Sequence, residues 1–244
     1  KAIVAVHLFG QCADMEPILE LAAKHNLYVI EDNAQAIGAT YTFKNGTTQK
    51  AGTMGIIGTT SFFPSKNLGC YGDGGALFTN SDELNDKIRM IANHGQSRQY
   101  VHDEVGVNSR LDSIQAAILN VKLKYLTEYA TARNAVADYY DAAFADMPQV
   151  ITPVRANNST HVFHQYTLLL NNVNRDALRK GLADKGVPSM IYYPIPVHQQ
   201  TAYLQQGDFK STENLCSRVI SLPIHTEFDK EQLEYITAAF KQLA

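Results

Sequence analysis

The sequence predicts a layered α/β domain followed by a smaller α+β domain. Three observations lead there. Short apolar runs of strand length alternate with stretches of helical apolar spacing over the first half of the chain. Glycine and asparagine punctuation separates them. After Pro148 the texture changes to short strands and two helices. With 244 residues, 45% hydrophobic and 18% charged, the chain can bury the core of one large or two modest domains.

The elements follow in order. "AIVAV" reads as a strand with only Lys1 before it, so the chain is expected to enter in mid-domain from an upstream segment, a bare edge strand being the alternative. Asp14 is placed to cap a helix over 15–25, where Ile18, Leu19, Leu21 and Ala22 recur at helical spacing. "LYVI" gives a short buried strand over 27–30 that stops at Glu31 and Asp32. Asn45-Gly46 signals a hairpin, and strands over 59–63 and 75–79 flank a glycine-rich loop. Ser81 caps a helix ending near Gly95. One long helix is expected over 111–144, with Ile114, Ala117, Ile118, Val121 and Leu126 on its apolar side. "HVFHQYTLLL" reads as short strands, 174–185 as a helix, and the residues after Asp229 as the closing helix. The expected domains are 1–125 and 126–244, joined by the long helix.

Charge and cysteine usage exclude several classes of function. A net charge of −3, with basic and acidic residues interspersed, gives no sign of a nucleic-acid or anionic-membrane partner, and none is expected. No apolar run approaches the roughly 20 residues that span a bilayer, and no secretory leader is expected. Cys12, Cys70 and Cys216 are few, odd in number and far apart, which suits core residues in a reducing, cytoplasmic setting. The histidines lack metal-ligand spacing, so no metal site is expected.

The chemistry centres on "SFFPSKNLGCYGDGG", residues 61–75. Most lysines are solvated surface charges. Lys66, however, lies between Phe62-Phe63 and a run of glycines, in a loop where desolvation would lower its basicity and favour a neutral nucleophile. Asp32 sits where a buried strand ends, the edge at which open α/β sheets bind ligands. Its plain alternative is a cap on the turn "NAQA". A loop lysine and a strand-end acid together suggest pyridoxal phosphate (PLP), whose enzymes pair a lysine with an acid on the pyridine nitrogen. Dinucleotide and P-loop glycine patterns are absent.

"VIEDNAQAIGA", "TSFFPSKNLGCYGDGGALFTN", "MIANHGQ", "VGVNSRLDSIQAAIL" and "YYPIPVHQQTAY", in that order, closely resemble the DegT/DnrJ/EryC1/StrS family of PLP-dependent nucleotide-sugar aminotransferases over essentially the whole chain. The resemblance implies fold type I of the PLP-dependent transferases, with the C-terminal part of the large domain followed by a small α+β domain. It implies that Lys66 holds the cofactor and shuttles a proton, that Asp32 keeps the pyridine nitrogen protonated, and that Gln35 lies against the ring. Ser61 matches a hydroxyl on the phosphate, and Asn108 a residue reaching the phosphate from the neighbouring subunit of a homodimer. Arg110 is the candidate partner of a sugar carboxylate. Tyr192 and Tyr193 stand where many relatives carry a His-Tyr pair at the sugar site.

The wording "PSMIYYPIPVHQQ" is nearest to enzymes that aminate C3 of UDP-2-acetamido-2-deoxy-3-oxo-glucuronate in surface polysaccharide synthesis, with L-glutamate as donor. A preceding segment of about a hundred residues or more, carrying a Gly-Thr or Gly-Ser phosphate turn and a stacked aromatic ring, would complete the cofactor domain. Three alternatives stay open at this point: amination at C4 of a nucleotide 4-keto-6-deoxy sugar, a family dehydratase, against which Lys66 argues because those relatives carry histidine there, and a non-catalytic PLP-binding or truncated relative.

Overall fold

The computed structural model describes every residue from Lys1 to Ala244. The chain divides into two units, residues 1–130 with 155–164, and residues 131–154 with 165–244.

In the first unit, β1 (Ala2–Val6), α1 (Met15–Lys24), β2 (Tyr28–Asp32), the β3 (Thr40–Thr42) and β4 (Thr48–Lys50) hairpin, β5 (Ile57–Ser61) and β6 (Gly75–Phe78) follow in order. The main sheet has the order β1-β2-β5-β6. Its first three strands are parallel, with Val6 beside Asp32 and Asp32 beside Thr59, and β6 returns antiparallel with Gly75 beside Ser61. Period-two alternation decides what each face meets. Ala5 and Val29 turn into a cluster with Met15 and Ala22 of α1, and with Tyr41. Val4, Val6, Tyr28 and Leu77 project from the opposite face and are exposed. Asp32 and Ser61 share the parity of that open face.

Three local differences from the sequence reading have physical causes. β2 runs through Glu31 and Asp32 rather than stopping before them, because Glu31 is buried and fully hydrogen-bonded. Asp14 occupies the N-cap position of α1 without capping it. Its carboxylate instead accepts from Tyr41 Oη at 2.5 Å, and Tyr41 Oη accepts from the Glu16 amide at 3.2 Å, so the tyrosine relays the cap. The single helix over 111–144 is broken into α3 (Ser113–Lys122), a 3-10 turn (Leu123–Tyr125) and α4 (Leu126–Phe144). No glycine or proline marks this break. Leu119 before it and Leu126 after it both pack on the cluster of Phe62, Leu68 and Cys70.

Between β6 and α3 lie α2 (Asp82–Ala92) and the small pair β7 (Gln96–Arg98) and β8 (Val101–His102). Ser81 Oγ accepts from the Leu84 amide at 3.3 Å, the expected N-cap. Only the end of "HVFHQYTLLL" forms a strand. The residues before it return to the first unit as an irregular segment in which Phe163 has a φ of 43°.

The second unit is built on an antiparallel sheet of β9 (Val150–Ile151), β10 (Tyr166–Leu170) and, later in sequence, β11 (Val219–Leu222), with β10 in the centre. Its helices are α5 (Arg175–Asp184), α6 (Lys210–Arg218) and α7 (Lys230–Leu243). Tyr140, Phe144, Tyr166 and Phe240 form an aromatic core with ring centroids 4.8–6.1 Å apart. α7 opens with a reciprocal capping box between Asp229 and Gln232.

Candidate active site

Asp32 is the last residue of β2 and Ser61 the last of its parallel neighbour β5, so both side chains stand at the carboxyl edge of the sheet. Lys66 follows five residues after Ser61, in the loop leading to β6. The loop is folded on itself by backbone bonds from Lys66 to Phe63 (2.9 Å), from Cys70 to Phe62 (2.8 Å) and from Phe62 to Gly74 (2.8 Å). The Cys70 thiol donates to the carbonyls of Phe62 and Gly72 at 3.0 Å each. From α3, Lys122 Nζ reaches the Gly69 carbonyl at 2.5 Å, and Gln115 Oε1 accepts from the Tyr71 amide at 2.8 Å.

Burial pulls the Lys66 amine below the ordinary lysine value, and the negative charge of Asp32 partly offsets this. The two groups act on each other electrostatically without forming a direct ion pair. Asp32 Oδ1 accepts from the Ala34 amide at 3.0 Å, the turn that a capping role for Asp32 would give. Gln35 Oε1 accepts from the Phe9 amide at 2.6 Å, bringing the residue after β1 to the residue after β2. Ser61 Oγ accepts from the Phe63 amide at 3.2 Å, which leaves the hydroxyl proton available to another acceptor.

The structure thus gathers Asp32, Ser61 and Lys66 at one sheet edge, with Gln35 just beyond β2. Asn108 and Arg110 lie in the same unit, just before Leu111, whose side chain stands against Gly74 of the loop. Both are exposed on the segment after β8, where Asn108 pairs as a β-bridge with Asn93 and Ser109 N bonds to Ala92 O at 2.9 Å. Tyr192 and Tyr193 belong to the second unit, where their rings meet edge to face with centroids 5.6 Å apart.

Sequence reading missed the buried pair behind this edge. Glu31 Oε2 accepts from His7 Nε2 at 2.8 Å and from the Gly52 amide at 2.8 Å, and Oε1 accepts from the amides of Met54 (2.6 Å) and Gly55 (2.5 Å). The signal was present in the alternation: Glu31 shares the parity of buried Val29, not that of Asp32.

An open, mainly parallel sheet with an acid ending one strand and a partly desolvated lysine in the loop after its neighbour has the fold type I architecture of the PLP-dependent transferases. The chain belongs to the DegT/DnrJ/EryC1/StrS aminotransferase family, whose model matches residues 1–241. Aminotransferases of this family are PLP-dependent. Among curated proteins it is 44% identical to a "pleiotropic regulatory protein" of Geobacillus stearothermophilus, over 97% of this chain and 63% of the relative. It is 43% identical to the UDP-2-acetamido-2-deoxy-3-oxo-D-glucuronate aminotransferase of Pseudomonas aeruginosa, over 98% of this chain and 65% of the relative. The crystal structure of a family aminotransferase from Brucella abortus superposes with a TM-score of 0.91 at 39% identity, covering 99% of this chain and 64% of that one. The chain therefore spans less than two thirds of the length of these relatives.

Proposed function

We propose that this chain serves a PLP-dependent transamination in which an amino group passes to the ketone of a nucleotide-linked sugar. The observation that carries the reading is the placement of Lys66 and Asp32 at one sheet edge in a member of this family. Their chemistry fits the cofactor: a half-buried amine of lowered basicity, a carboxylate whose charge reaches it without neutralising it, and a hydroxyl at the adjacent strand end. When bound, PLP supplies an electron sink for the carbon that gains or loses the amine.

Each residue then has a distinct task. Lys66 would hold the cofactor, and its Nζ, made less basic by burial, would take up and return a proton at the reacting carbon. Asp32 would hold a proton on the pyridine nitrogen through its negative charge, and Ser61 would donate its hydroxyl proton to a phosphate oxygen. Gln35, fixed through Phe9, would bound one side of the ring. Asn108 would reach the phosphate of a partner subunit in a homodimer, since a closed two-fold pair presents the same exposed segment to each site. The three unpaired cysteines suit the cytoplasm.

The finer reading is amination at C3 of UDP-2-acetamido-2-deoxy-3-oxo-glucuronate with L-glutamate as donor. It is supported by the name of the P. aeruginosa relative, and by Arg110, whose exposed planar guanidinium suits a uronate carboxylate. A regulatory, non-catalytic role is the second reading, favoured by the name of the Geobacillus relative. NMR of the product formed with PLP, L-glutamate and candidate keto sugars tests both. A 3-amino uronate supports the first. Amination at C4 of a 6-deoxy sugar with the uronate untouched contradicts the substrate, and PLP binding without turnover on any keto sugar supports the regulator.

A further inference from the structure

We propose that Asn67 is the positioning residue of Lys66: its buried side-chain amide ties the lysine's loop to the returning segment 155–164 and so fixes the amine at the end of β5. The two residues are neighbours in the chain with opposite environments, Asn67 being buried and Lys66 half-exposed. Asn67 Nδ2 donates to the Val162 carbonyl at 2.8 Å, and Asn67 Oδ1 accepts from His164 Nδ1 at 3.3 Å. Both ends of the amide are therefore engaged by residues more than ninety positions away. A buried amide needs such partners, because leaving one unmet carries the desolvation penalty of the group.

The other attachments of the loop lie further on. Lys122 and Gln115 hold Gly69 and Tyr71. Pro64 and Ser65 are exposed, and Leu68 is held only by apolar contact. Between Pro64 and Leu68, Asn67 is the one side chain that hydrogen-bonds outside the loop. Directionality matters here: apolar burial of Leu68 resists exposure but sets no angle, whereas two hydrogen bonds on a planar amide fix the backbone that carries Lys66. The anchoring segment is itself ordered, with His161 and Phe163 stacked at 3.8 Å between ring centroids and the Phe163 amide donating to His161 Nδ1 at 3.0 Å. The charged group acting on Lys66 is Asp32 from β2, and the ring of His164 hydrogen-bonds to Asn67.

The proposal rests on reading Lys66 as the reactive amine, so its test needs neither cofactor nor substrate. The full chain is acetylated competitively over about pH 7 to 11, and the extent at each lysine is read by peptide mass analysis in wild type, Asn67→Ala and the volume-matched Asn67→Leu. Thermal unfolding is followed in parallel. The expected result is that the Lys66 midpoint rises towards the ordinary lysine value by about half a unit, with the neutral fraction at pH 8 falling about threefold, while Lys24 and Lys230 keep theirs. A lowered Tm with an unchanged Lys66 profile in either variant would show that Asn67 only stabilises the fold, and would overturn the proposal. Failure of PLP to attach to wild-type Lys66 would defeat the reading of the site and leave the labelling comparison intact.

Discussion

His7 Nε2 lies 2.8 Å from Glu31 Oε2, and neither side chain has any exposed surface. The ring donates there as a neutral imidazole, because its other nitrogen accepts from the Ala13 amide at 3.0 Å. Burial pushes the Glu31 carboxyl up, but the bonds from His7, Gly55 and Gly52 outweigh it and hold the group below its ordinary value of 4.5. A carboxyl with a lowered folded value binds its proton more readily when unfolded. Its contribution to stability is therefore present above about pH 4.5 and lost as pH falls through the folded value. Glu31→Gln should cost about 2 kcal/mol or more at pH 7, since one of its amide ends faces donors it cannot accept from. Urea unfolding from pH 7 to 3 should show a smaller loss of stability on acidification in the variant, and an identical acid slope would contradict the assignment.

Gly10 has a φ of +112°, and a Cβ there would lie 2.8 Å from Phe163 N and 2.9 Å from His164 N. Neither backbone atom can move without disturbing the segment that meets Asn67. Gly10→Ala should destabilise by at least about 2 kcal/mol. Gly46 also has a positive φ, +84°, but its Cβ would meet nothing within 4 Å. Gly46→Ala should cost only about 1 kcal/mol, and equal losses at the two positions in denaturant melts would refute the close approach at Gly10.

How much of this was legible in advance varies with the range of the interaction that decides it. Local patterns placed β1, the Asn45-Gly46 hairpin, the Ser81 cap and the Asp229 helix, because each is set by neighbours within a few residues. Lys66 and Asp32 were legible as a combination of residue types in ordered motifs. The Glu31 and His7 pair was not read, as its two halves are 24 residues apart and an acid beside a strand looks like the strand's end. The ties of Asn67 to Val162 and His164 were beyond any local signal, and so was the 3-10 turn at Leu123–Tyr125, which carries no breaker residue.

Asp32→Asn preserves shape and removes the charge. Turnover with PLP supplied should fall about 100-fold or more, on the scale of losing one preorganised electrostatic group, while PLP is retained. The amine of Lys66 should also become less basic, since the partial offset by Asp32 is gone. Unchanged turnover in steady-state kinetics would remove Asp32 from the chemistry.

If the site is shared between subunits, Lys66→Ala and Asn108→Ala should each be impaired alone. Their mixed dimer would hold one site with both lesions and one with neither. Co-expression with different tags and purification of the heterodimer should recover about half the wild-type rate per dimer. No recovery in an intact, PLP-saturated heterodimer would mean that Asn108 serves its own subunit.

The attachment point of the cofactor decides whether Lys66 is the reactive amine. The protein is incubated with PLP, reduced with borohydride, digested and analysed by peptide mass. The phosphopyridoxyl group is expected on Lys66, with labelling lost in Lys66→Ala. Attachment to any other lysine, or persistence of specific labelling in Lys66→Ala, would contradict this assignment.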